Sequence, residues 1–329
     1  MNESIYQWIK AGLIGPEHQA SALAVAGERP SRAGWLLFVR RLLVLLGLLS
    51  MAFGVVFFFA YNWNDLGRQF KFIALQGLMV GSFLLYLFKA KSPWTAQALL
   101  LSAVLVLGAL LALFGQTYQT GADPWQLFAT WAMLITPLVL FSRAEVLWLV
   151  LVLLLNTALS LYLQVNRSLL GWALWGHHMT WVLFLLNGAF LLLTEWLASG
   201  RAQRWVHVAL SHRWAAQVLG VVVIYLLGIM GLEAIWGRVD YRAINALLFL
   251  GFMGLLCYVY RYRCRDLLLL TAWMLAVIVF IMSLLANAVL DQFDAGGLLL
   301  MAVALITLST LAVRWLKKTH LSFKQEVNA

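Results

Sequence analysis

Residues 146–163 read VLWLVLVLLLNTALSLYL, and this stretch decides the fold. It holds no charged residue. Wound as a helix at about 1.5 Å per residue, it spans about 27 Å, close to the roughly 30 Å hydrocarbon core of a bilayer. Leu151 to Leu155 do not alternate with polar residues, which excludes a strand of a membrane barrel. Backbone groups in lipid must bond within their own segment, so the run is read as a transmembrane helix.

Working outward, comparable runs fall at roughly 41–62, 70–88, 95–114, 125–141, 177–198, 214–236, 242–260, 266–288 and 296–316, which makes ten spans. The composition agrees. The 329 residues are 64% hydrophobic and 11% charged, against about 25% charged in a soluble globular chain. Too little polar surface exists to face water on all sides. The expected fold is all-α: a polytopic transmembrane bundle over 41–316, preceded by residues 1–40 and followed by a cytoplasmic tail at 317–329. About 40 residues precede the first run, which is longer than the apolar core of a signal peptide, so the first helix is expected to remain as an anchor.

The basic residues set the orientation. The net charge is +10. With the N-terminus inside, Arg68, Lys71, Arg167, Arg238 and Arg242 fall in outside segments, which leaves eighteen of the 23 Lys and Arg inside. This bias in short loops places both termini in the cytoplasm. It explains the positive charge without nucleic acid, and the basic rim suits anionic membrane lipids as partners. Cys257 and Cys264 fit no metal or redox spacing and are read as unpaired thiols.

Within residues 1–40, Ile5, Trp8, Ile9 and Leu13 share one face at helical spacing. Gly12 and Gly15 punctuate, Pro16 suits the first turn of a second helix, and Glu17 is favourable there. The expectation is a small cytoplasmic helical hairpin, either resting on the membrane surface or docking a partner.

The polar residues gather at the outer ends of spans one, three and four. Span one runs out through Tyr61-Asn62-Trp63-Asn64-Asp65, and span three through Gly115-Gln116-Thr117-Tyr118-Gln119-Thr120-Gly121-Ala122-Asp123-Pro124. Two readings stand. An aromatic belt with turn chemistry accounts for Trp63, Trp125, Gly121 and Pro124, with Asp123 as a helix cap. A wet, outward-facing cavity accounts better for Gln116, Thr117 and Gln119. Under that second reading the candidate binding residues are Tyr61, Asn62, Trp63, Gln116, Tyr118, Gln119, Asp123 and Glu233.

Inside the spans, Asn156, Asn187, Asn245 and Asn287 are read chiefly as interhelical glue. Glu195 and Glu233 are membrane carboxylates and so functional candidates. Glu195 lies near the inner rim, where Arg201 is available, and is read as structural. Glu233 lies near the outer rim, close to Arg238. His177 and His178 are neighbours that diverge by about 100° on a helix, so they do not pair on one ion. No zinc motif, nucleophile elbow or Walker loop occurs. No catalytic residue, metal site or cofactor is assigned. An enzyme would need Asp123, Glu233 or His177 to converge on one pocket.

These motifs, with Trp8-Ile9-Lys10-Ala11-Gly12-Leu13-Ile14-Gly15-Pro16-Glu17 before them and Leu127-Phe128, Trp131 and Pro137 after them, resemble the predicted membrane proteins grouped as domain of unknown function 2157. The likeness covers roughly residues 5–140. It implies a multi-pass protein of the bacterial inner membrane, and as partner a membrane protein with a GDYxxLxY motif, which this chain lacks. It implies no activity. The functional expectation is a transporter or flippase not driven by ATP, with an outward polar cavity. The alternative is a non-catalytic scaffold or subunit of an envelope complex.

Overall fold

The structure, a computed structural model, describes residue 8, residues 13–19, 21–22, 34–40, 42–43, 46, 50, 57 and 61, and then 67–89, 93–119, 121–142, 144–165, 178–198, 213–237, 239–289 and 295–328. The chain divides into two units, residues 1–71 and 72–329. In the first unit Trp8 is helical, residues 16–18 form a turn and residues 34–40 are helical. The backbone N–H of Leu13 donates to Trp8 O at 2.9 Å, and that of His18 to Gly15 O at 3.0 Å. The hairpin expected over 1–40 and the first span over 41–62 lie largely outside the described residues.

The helices that follow are α1 (Arg68–Lys89), α2 (Pro93–Tyr118), α3 (Pro124–Ser142), α4 (Glu145–Val165), α5 (His178–Ala198), α6 (Trp214–Trp236), α7 (Val239–Tyr258), α8 (Leu267–Val289) and α9 (Ala295–Asn328). A π turn, Val259–Arg263, extends α7. Among the described residues these nine helices are long and apolar enough to cross a membrane. They correspond to the second to tenth expected spans. Pro93 and Pro124 open α2 and α3, where a missing N–H costs no helical bond. Pro137 lies inside α3, which a membrane helix tolerates when neighbours satisfy the freed group.

Two ends differ from expectation. Helix α2 runs on through Gln116, Thr117 and Tyr118, because amides and hydroxyls do not break a helix. Helix α9 runs on through residues 317–328, read from the sequence as a tail. Lys317 and Lys318 end the apolar run there, but no Gly or Pro follows, and Leu316 and Phe323 still pack against the bundle.

Contacts show that successive helices alternate in direction. Trp125 at the start of α3 meets Tyr162 near the end of α4, with ring centroids 5.0 Å apart. Glu195 near the end of α5 bonds Arg213 just before α6. Helix α6 is the centre of the bundle: half of its span is buried, against none of the α1 span. Val223, Leu227 and Met230 of α6 pack with Phe184, Phe249 and Met253. Glycines allow this closeness, as small residues do where lipid supplies no hydrophobic drive. A Cβ on Gly220 would lie 2.6 Å from Leu269, and one on Gly231 would lie 2.9 Å from Phe249.

Polar glue is present as well. The amides of Asn156 (α4) and Asn187 (α5) bond reciprocally, at 2.7 and 3.2 Å. Each also donates to the carbonyl four residues earlier in its own helix. Asn287 is exposed. At the other side of the bundle from α9, Leu100 and Val104 of α2 pack with Ile135 and Val139 of α3 and Leu147 of α4.

Candidate functional site

The end of α2, the turn after it and the start of α3 enclose an open groove of about 560 Å³. Its polar lining is Gln116, Gln119, Asp123, Gln126 and Thr130, and all five are exposed. Phe114, Leu111 and Leu127 supply an apolar floor. The turn is built by backbone conformation. Gly121 has φ of 64°, which a residue without Cβ adopts freely. Gln119 has φ of 45°, where a helix normally ends on Gly or Asn. A glutamine held there stores about 1 kcal/mol of strain or more, and such strain gathers at binding sites. Asp123 precedes α3, and its carbonyl accepts from Gln126 N at 2.9 Å. No side-chain cap from Asp123 is seen among the described residues.

The groove is positioned by α2–α3 packing. The Trp131 indole N–H donates to Val104 O across the two helices at 3.0 Å. Its ring covers Gly108 so closely that a Cβ there would overlap it. Trp131 is thus a packing residue of the motif rather than a lining one.

Of the eight expected cavity residues, the groove brings together Gln116, Gln119 and Asp123. Tyr118 is not among its lining. It stands one helical turn beyond Phe114, with rings 4.7 Å apart, and meets Phe72 of α1 at 6.4 Å. The helix continues past 114, and this turns Tyr118 away from Gln119. Tyr61 is helical and 90% exposed in the first unit. Asn62 and Trp63 lie outside the described residues.

Glu233 is not among the groove's lining residues either. Its Oε1 accepts from Thr180 Oγ1 at 3.3 Å, and its Oε2 from Asn245 Nδ2 at 3.2 Å. The Trp181 indole N–H donates to Asn245 Oδ1 at 2.7 Å. These bonds tie α5, α6 and α7 together at the groove's end of the bundle. Arg238, expected beside Glu233, lies outside the described residues, as does His177.

The opposite end carries a network that the sequence reading found only in part. Arg213 Nη2 donates to both oxygens of Glu195, at 2.8 and 3.0 Å. The ion partner in the structure is therefore Arg213; Arg201 lies outside the described residues. Arg213 Nη1 donates to Cys264 O at 3.2 Å and stands 3.9 Å from Asp266 Oδ2. Asp266 accepts from Gln217 at 2.8 Å. Its other oxygen caps α8 by accepting from the N–H groups of Leu268 and Leu269, as N-cap carboxylates do. Burial opposes the charge on Arg213, but the hydrogen bond and attraction of Glu195 outweigh it and hold its pKa above the ordinary value. Asp266 and Gln217 escaped the sequence reading because they sit at span ends, where polar residues are common. Glu145, fully buried at the start of α4, escaped for the same reason.

Cys257 and Cys264 are free thiols. Burial pushes the Cys264 thiol up, Glu195 adds to the shift, and Arg213 pulls against it. A raised pKa leaves less reactive thiolate at neutral pH. In a Cys257→Ser background, maleimide should label Cys264 slowly at neutral pH and faster only above the usual thiol range. A rate at neutral pH equal to that of a free model thiol would contradict this.

A bundle with nine helices, among the described residues, long and apolar enough to cross a membrane defines a multi-pass helical membrane protein. Residues 6–148 match the family model described as "Predicted membrane protein (DUF2157)", the family that the N-terminal motifs resemble. The match includes the groove and Trp131 and stops just inside α4, so the Glu233 and Arg213 networks lie beyond it. No curated protein and no solved structure matches the chain.

Proposed function

We propose that the groove between α2 and α3 binds a hydroxyl-rich molecule on the outer face of a bacterial inner membrane. In this reading the protein passes or flips that molecule without ATP hydrolysis in this chain. The observation that supports it is the lining: four amide or hydroxyl side chains and one carboxylate stand over an apolar floor. Binding sites commonly combine a few orienting polar groups with apolar walls. Amides and a carboxylate accept and donate to hydroxyls, while Phe114 and Leu127 suit the C–H faces of a sugar-like ring. Asp123 disfavours an anion. Glu233 stands outside this reading, since it lines no part of the groove and is occupied with Thr180 and Asn245.

The test uses the full chain in lipid nanodiscs and a panel of neutral, cationic and anionic polyhydroxylated compounds. At least one neutral or cationic member should raise the melting temperature. Gln116→Ala with Gln119→Ala should weaken that compound about thirtyfold, since each of the two lost hydrogen bonds is worth about 1 kcal/mol. No shift across the panel, or unchanged binding by the double variant, overturns the reading. Proteoliposome flux then separates the two roles. Binding without flux would replace the transporter with a ligand-binding scaffold subunit of an envelope complex.

A further inference from the structure

We infer that the far end of α9, together with the π turn, forms a binding site for the phosphate headgroup of an anionic lipid. Arg314, Lys317 and Lys318 are spaced three and four apart and so share one side of α9. All three are exposed. Arg263, at the end of the π turn, is exposed as well. None of these four has an ion pair among the described residues. The nearby carboxylates are already engaged: Glu195 holds Arg213, and Asp266 holds Gln217 and the start of α8. Among the described residues, these four cations therefore carry positive charge that no carboxylate compensates.

Arg261 brings the two basic segments together. Its Nη1 donates to Ser322 Oγ at 2.9 Å, and its guanidinium lies 5.1 Å from the Phe323 ring and 5.6 Å from that of Tyr262. Trp315 reinforces the junction, 6.1 Å from Trp273 of α8. Arg261 is thus a fastener, and the four exposed cations remain for a ligand.

The occupant must be amphipathic. Next to the cations, α9 presents exposed Leu311 and Val313, and only 6% of its span is buried in the bundle. A phosphate headgroup fits the cations while its acyl chains lie along that apolar side. A free phosphate would use only the first half. Basic side chains near a membrane surface each add to attraction for anionic lipid, and the bias of basic residues in this chain agrees with a site in the cytoplasmic leaflet.

The experiment titrates the full-length protein in neutral detergent with phosphatidylglycerol, phosphatidylcholine or inorganic phosphate. Lipid retention is read by native mass spectrometry, and stability by thermal melting. Phosphatidylglycerol should be retained and should raise the melting temperature, and higher ionic strength should weaken it. Phosphatidylcholine and phosphate should do neither. Arg314→Gln with Lys317→Gln and Lys318→Gln should weaken phosphatidylglycerol about tenfold or more, while Lys317→Arg with Lys318→Arg should keep it. If the triple variant does not fold, Arg314→Gln and Lys318→Gln are tested singly, and each must weaken retention. Equal retention of phosphatidylcholine, an equal effect of phosphate, or undiminished binding by the charge-removing variants overturns the inference.

Discussion

Replacing Arg213 with alanine is expected to destabilise the folded protein by about 2 kcal/mol. Breaking a buried ion pair costs roughly 3–5 kcal/mol, because the abandoned charge stays out of water. Here the Arg213 side chain is 36% exposed, and solvent screens part of that cost. Two carboxylates lose their cation in this variant, Glu195 at 19% exposure and Asp266 at 5%. The Cys264 carbonyl also loses a donor. Reversible unfolding in mixed micelles gives the free energy, and thermal melting gives the rank order. Arg213→Met combined with Glu195→Leu should recover part of the loss, because no uncompensated carboxylate then remains at position 195. Unchanged stability of the single variant would show that the network contributes nothing.

The second large effect is expected at Gly108. Valine there must displace the Trp131 ring, since a Cβ would already overlap it. Overpacking a core commonly costs about 1–3 kcal/mol. The displaced indole also gives up its bond to Val104 O, worth about 1 kcal/mol. Loss of native melting, or a fall of several degrees, should follow. Trp131→Phe separates the two contributions, because it removes the hydrogen bond and keeps most of the ring. Any compound bound in the groove should be weakened by Gly108→Val even at temperatures where the variant remains folded. A variant that melts and binds as the original would remove the α2–α3 contact from the account of the groove.

Much of the helical order was legible in the sequence because lipid imposes a simple rule. Where no water is available the backbone must bond to itself, so an uncharged run such as 146–163 has one solution, and α4 occupies 145–165. Ends were harder to read. Lys317 and Lys318 mark where the apolar run stops, but a helix ends where its hydrogen bonds stop, and α9 carries them on to Asn328. The groove was legible in part for a related reason. Gln116, Gln119 and Asp123 stood out as amide and carboxylate groups at a membrane rim. Their separation from Tyr118 depends on helical phase beyond residue 114, and the separation from Glu233 depends on which helices pack together. Neither is written in local composition. The Arg213 pairing is likewise a property of assembly: Glu195, Arg213 and Asp266 lie far apart along the chain and meet only when α5, α6 and α8 are side by side.

The π turn at Val259–Arg263 carries its own consequence. Its closing bond joins Cys264 N to Val259 O at 2.9 Å, five residues back instead of four, so the coil holds one residue more than an α-helix would. Each residue advances a helix by about 100°. The surplus acts as a phase shift: Tyr260 turns into the core while Arg261, next along, reaches Ser322. What is fixed here is length as much as composition. Shortening this segment by a single residue would leave nearly every side chain unchanged in kind, yet turn the end of the helix by about 100°, so that Tyr260 and Arg261 would no longer point to the core and to Ser322 as they do now.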